Sequence, residues 1–259
     1  MLLNKFSEKD FAVLRRTFES GRQSPSSMSG MLILAVILQS LMFFLIYVVA
    51  ADRSYFPNKE SIFVIHLGIT LLLMILSIVY AVPSIYMKQQ KAQYLIIILV
   101  SQNLFGLLLY IGALFFLGKN QNISVQSLLL FSSITLIFGL LVFIITAVRF
   151  FLLLKKGHYR EGSRKDESRR KFEKNSYIPI VTVGSLGLVY IIQYLIRTFD
   201  FIFDLEIFVM VLLGVGLFYA MLFVLPEQLV ILYCKYRFES FNFSKDGNLQ
   251  PFGIDRKDA

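Results

Sequence analysis

Few residues in this chain are of a type that does chemistry. Glu227 is the carboxylate set deepest in an apolar run, directly after Pro226 in Leu225-Pro226-Glu227-Gln228. A proline there frees a backbone carbonyl, so the pair makes a kinked polar spot facing a helix bundle, or a carboxylate that reaches a basic interface, with Arg149 at similar depth as its partner. His66 sits one turn inside another apolar run, as an interface residue or a proton acceptor. Gln39, Gln102, Asn103 and Gln193 place amides among apolar neighbours, where they tie helices together or line a substrate path. Arg197, Asp200, Asp204 and Glu206 cluster within ten residues. Three carboxylates suit a calcium ion, but the turn glycine of a calcium loop is missing, so a cap that repels or recognises a cationic ligand fits better. Lys88, Lys91, Arg169, Arg170 and Lys171 form basic stretches able to dock a partner.

Enzyme motifs are absent. The sequence holds no phosphate-binding Gly-x-x-x-x-Gly-Lys-[Ser/Thr], no His-Glu-x-x-His and no Gly-x-Ser-x-Gly. Cys234 is the lone cysteine, which excludes an intrachain disulfide and a multi-cysteine metal centre. It reads as a small apolar residue near a helix end. No catalytic residue, metal or cofactor is expected.

The elements that must position these residues are written in the hydropathy. Of 259 residues 56% are apolar and 17% charged, against roughly a quarter charged in soluble domains. Mean hydropathy is +0.67. Six runs are long enough to cross a bilayer: about 31–51, 62–85, 94–117, 125–154, 177–196 and 205–234. They are continuously apolar rather than alternating, which predicts an all-α, polytopic fold of three helical hairpins and excludes barrel strands. Residues 1–30 form an arm, 31–234 the transmembrane domain with a basic loop 155–176, and 235–259 a tail. The fourth run, about 45 Å as a helix, overruns a 30 Å hydrocarbon core.

Charge sets the expected orientation. Of the 26 Lys and Arg, 22 fall in the arm, 86–93, 149–176 and the tail, leaving 4 in the other links. That asymmetry predicts both termini in the cytoplasm, in a cell membrane. It also accounts for the net charge of +9 without a nucleic-acid partner: basic loops beside spans hold topology and attract anionic lipid. In the arm, Ser7 and Asp10 make a weak capping box, and Phe11, Leu14 and Phe18 share a face. The expectation is an amphipathic helix along the inner membrane surface, then a flexible break over Gly21–Ser29. Thr135-x-x-x-Gly139 and Gly216-x-x-x-Ala220 are small-residue patterns suited to close helix packing.

Three functions fit. The first is a non-enzymatic protective protein, giving immunity to a membrane-active toxin or bacteriocin. The second is the permease subunit of an ABC exporter with a separate ATPase. Six spans, inward termini and an amphipathic arm resemble the six-helix exporter permeases. The resemblance implies an elbow helix at Phe11–Phe18 and a coupling region at Met87–Gln93, although the link between spans five and six is short for that family. The third is an ion-coupled carrier, for which Glu227 is nearly alone as a buried carboxylate. The expected partners are the lipid bilayer and either a membrane-active polypeptide or an ATPase subunit.

Overall fold

The computed structural model describes residues 2–174 and 202–253. Among these the regular structure is all helical, apart from one isolated bridge between Phe243 and Leu249, with turns and irregular links between the helices. Helix α1 is Pro25–Phe44, continued by a π-helical segment, Leu45–Ala50. Helix α2 is Lys59–Val79. Helix α3 runs Gln90–Leu117 and contains a second π segment, Gln102–Leu107. Helices α4 (Val125–Lys155), α5 (Arg164–Lys174) and α6 (Ile202–Arg237) follow. Five of the six are long and apolar enough to cross a membrane; α5 is short and charged. The run expected at 177–196 lies outside the described residues.

Side-chain exposure supports a lipid-facing surface. Ile37 on α1, Val64 and Ile65 on α2, and Leu130, Ile137 and Ile145 on α4 are all more than 60% exposed. A fold in water rarely shows so much contiguous apolar surface, whereas lipid solvates it. Helix α3 is the axis of the bundle. Its most apolar stretch is 56% buried, against 11–22% for the other four.

Local signals fix the helix ends. Ser24 caps α1 by accepting from the Ser27 N–H at 3.2 Å, with Pro25 as the first helical residue. The first span therefore starts at Pro25 rather than near 31, and the flexible break expected over Gly21–Ser29 contracts to a tight turn at Gly21, whose φ is +75°. Helix α2 stops at Val79, and Pro83 opens a separate turn, Pro83–Tyr86, so the second run is shorter than its hydropathy suggested.

Two glycines let helices approach. A Cβ on Gly214 of α6 would lie 2.6 Å from the Leu109 carbonyl oxygen of α3. Gly139 of α4 meets Phe218 and Leu222 of α6. Gly216, singled out by its small-x-x-x-small pattern, faces open space; the close contact falls two residues earlier.

The basic end of the bundle folds into a cap, and here the structure corrects the expectation for the arm. The arm forms a 3-10 helix, Glu8–Arg15, and one α-helical turn, Arg16–Glu19. Asp10 accepts from the Ser7 N–H at 2.8 Å, one half of the capping box. Phe11, Leu14 and Phe18 are fully buried in protein, not laid on a membrane surface. They pack with Tyr94, Phe150, Tyr159, Phe241 and Phe243, drawn from α3, α4, the following loop and the tail. The Val13 N–H donates to the Tyr159 carbonyl at 2.9 Å. Arg15 donates to the Ser240 and Gln250 carbonyls at 2.9 and 2.5 Å, joining arm to tail. Gln90 grips Phe243 through both amide atoms, each bond 2.8 Å.

Candidate functional site

Where α4 and α6 emerge into this cap they enclose a cavity of about 580 Å³. Helix α4 supplies Thr146, Arg149, Phe150 and Leu153; α6 supplies Phe223, Val224, Glu227, Gln228 and Ile231. Tyr159, Lys165 and Arg169 come from the loop and α5, and Thr17 and Gln23 from the arm. The cavity has a charged wall and an apolar wall. No polar cluster at an interface was legible in the sequence, because these groups, from Thr17 to Gln228, are separated by up to 211 positions and meet only when the cap closes.

Glu227 pairs with Arg169, not with Arg149. Helix α5 folds back across the cavity and brings Arg169 within reach, while Arg149 lines the same space without a carboxylate partner among the described residues. Lys165 lies against the Tyr159 hydroxyl and 3.8 Å above its ring. Burial pulls the Lys165 ammonium below its usual range, aided by Arg169 and Arg149 and opposed by Glu227. Burial also pushes the Tyr159 phenol up, so it stays protonated, and its oxygen accepts from Lys165 Nζ. Pro226 leaves the Leu222 carbonyl without its helical N–H. One residue before it, the Met221 carbonyl accepts from Gln102 of α3 at 3.1 Å, and Gln102 also reaches Gln228 at 3.3 Å.

An ion-pair lattice holds the cap over the cavity. Asp166 of α5, almost fully buried, accepts from Arg16 Nε at 2.8 Å and Nη2 at 3.2 Å, and from the Gly162 N–H at 3.1 Å. Burial alone would raise its pKa, but these bonds win and hold the carboxyl below its usual range. Asp10 behaves alike: burial opposes its charge, and Arg160, 2.6 Å away, with the Ser7 N–H outweighs it. Arg170 pairs with Glu161 at 3.3 Å and Asp166 at 3.5 Å.

A second polar group lies within the bundle. The His66 Nδ1 is 2.8 Å from the Tyr47 hydroxyl, and its Nε2 is 2.9 Å from Asn103 Oδ1. The Asn103 amide donates to Gln39 Oε1 at 3.1 Å and Thr70 Oγ1 at 3.2 Å. His66 is thus 2% exposed and bonded on both nitrogens, rather than an interface residue. Both π segments serve this node. Tyr47 lies within the first, and the adjacent amides that open the second diverge as neighbours on a helix do, Asn103 bonding to α1 and α2 and Gln102 to α6.

Of the remaining candidates, Lys91 approaches Glu239 of the tail at 3.8 Å and Lys88 is exposed. Gln193, Arg197 and Asp200 lie outside the described residues, as do the side chains of Asp204, Glu206 and Lys171. Sequence reading missed Tyr47, Thr70, Tyr159, Lys165 and the Arg16–Asp166 pair. His66 and Thr70, four apart on α2 with Leu73 and Ser77 on the same buried face, were open to detection by helical spacing. The Arg16–Asp166 pair, 150 positions apart, carried no such signal. Comparison with protein-family models, curated proteins and solved structures finds no match for the chain.

Proposed function

We propose that this chain is a non-enzymatic, six-span protein of the cell membrane with both termini in the cytoplasm, and that its role is protective: immunity to a membrane-active polypeptide such as a bacteriocin. The observation that carries the reading is the bracing of the two links at the end opposite the cap. The Tyr55 N–H donates to the Gly118 carbonyl at 2.7 Å, Gln121 reaches the Tyr55 hydroxyl at 3.2 Å, and Lys119 donates to the Val49 carbonyl at 3.3 Å. Two short links so joined present a fixed surface, which recognition of an extracellular polypeptide needs. Inside the bundle, the amides and His66 bond to one another instead of converging on a reacting centre.

The exporter-permease reading has less support. Phe11–Phe18 is buried in the cap instead of free as an elbow helix, and Gln90, within the expected coupling region, is held by the tail.

Two measurements test the proposal. Expression in a host sensitive to pore-forming bacteriocins should preserve membrane potential under challenge, and Tyr55→Ala should reduce that protection. Co-purification of a stoichiometric ATPase, with no protection, would overturn it in favour of an exporter. For orientation, single cysteines at Lys119 and Lys156 in a Cys234→Ser background should react with an impermeant maleimide on intact cells only at 119. Labelling at 156 alone reverses the topology.

A further inference from the structure

The cavity between α4, α5 and α6 carries more positive charge than the described residues neutralise. Arg149, Lys165 and Arg169 line it, with Glu227 as the one carboxylate among the described residues, and Glu227 is taken by Arg169. The acids nearest on the loop and arm are engaged elsewhere. Asp166 is held by Arg16 and Arg170, Glu161 by the same two arginines, and Glu19 by Arg15 and Arg16. Glu227 acts on Lys165 through space, but neither Arg149 nor Lys165 has an ion-pair partner among the described residues. Gathering cations in a partly desolvated space is unfavourable unless an anion completes the site.

We propose that this cavity binds a phosphate ester, with Arg149 and Lys165 on the phosphate oxygens. Arginine's planar fork matches two phosphate oxygens, and lysine adds a point charge. The Tyr159 hydroxyl accepts from Lys165 and keeps its own proton to offer a phosphate oxygen. Glu227 holds Arg169 in place at the edge of the site. The opposite wall, with Leu153, Phe223 and Val224, offers apolar surface continuous with the lipid-facing flanks of α4 and α6. A volume near 580 Å³ suits a ligand larger than a bare phosphate. The same phosphate chemistry comes from an anionic phospholipid headgroup or from free phosphate, and the two differ in their use of the apolar wall. This site is independent of the protective role.

The test uses the full chain purified in mild detergent and mixed with phosphatidylglycerol, with phosphatidylcholine as the low-charge reference. Native mass spectrometry counts retained lipids, and inorganic phosphate is titrated separately. The expected result is one phosphatidylglycerol per chain, retained about tenfold less by Arg149→Gln with Lys165→Gln and unchanged by Lys88→Gln, a cation outside the cavity. Arg149→Gln alone, at an exposed position, guards against misfolding and should give part of the loss. Displacement by millimolar phosphate, or thermal protection by phosphate without lipid retention, assigns the site to the free anion. Equal retention of both lipids with no response to phosphate, or retention unaffected by both variants, overturns the proposal.

Discussion

Asn103 joins α1, α2 and α3 through a single side chain. Its amide serves Gln39 and Thr70, and its carbonyl oxygen serves His66. Interhelical bonds in membranes average about 0.6 kcal/mol, but stripping buried polar groups of their partners costs about 1–3 kcal/mol. Asn103→Leu should therefore destabilise the protein by about 2 kcal/mol, read as an earlier midpoint in unfolding by sodium dodecyl sulfate. An unchanged midpoint would show that the node is not what holds these helices. In the cap, Asp10 and Asp166 both titrate below the ordinary carboxylate value of 3.8. Their folded pKa values are depressed, so the stability they supply is fully present above that value and is lost as pH falls through the folded values. Tryptic cleavage in the arm, assayed after brief exposure to each pH, should stay slow from pH 7 down to 5 and rise only below about pH 4. Arg16→Ala leaves the Asp166 carboxylate buried with weaker partners and should open the cap at neutral pH. The types of these residues were plain in the sequence. Their pairings were not, because an amide or an arginine has many geometrically equivalent partners until the chain is folded.

Helix existence was legible because a bilayer demands long apolar runs, and hydropathy records that demand directly. Helix ends were partly legible: Pro83 and the Ser24-Pro25 pair stop and start helices for local steric reasons. The π segments, Leu45–Ala50 and Gln102–Leu107, were not. Packing glycines were half legible, because small-x-x-x-small spacing names a face but not which residue touches a neighbour. That distinction can be measured. Gly214→Ala would force a Cβ against a backbone carbonyl of α3, which cannot rotate away, and should cost about 1–3 kcal/mol. Gly216→Ala meets nothing within 4 Å and should be neutral, or stabilising by up to about 1 kcal/mol. Equal effects in a detergent-unfolding assay would remove the α3–α6 contact from the account of stability.

At the scale of the molecule, two solvents act on one chain. Lipid faces the outward side chains of the spans, and the cap is a water-facing core of its own, built on Phe11, Phe18, Phe241 and Phe243. Sequence reading treated arm and tail as separate because each alone is too short to bury an apolar face, and only their combination reaches that threshold. Phe241→Ala should cost about 3–5 kcal/mol locally and accelerate cleavage at Arg15 and Arg16 at least about tenfold. If cleavage is unchanged, the arm is held by α4 and the loop without help from the tail.

The joining of arm to tail also sets an order of assembly. Arg237 donates to the Leu3 carbonyl, Ser240 meets Glu8, and Arg15 reaches residue 250. While a ribosome is still making α6, the partners of Phe11, Leu14 and Phe18 on the tail do not exist. For that interval the arm has only α3, α4 and the following loop to pack on, and the tail's share of its core is missing. The cap can therefore be completed only once residues 238–250 have left the exit tunnel.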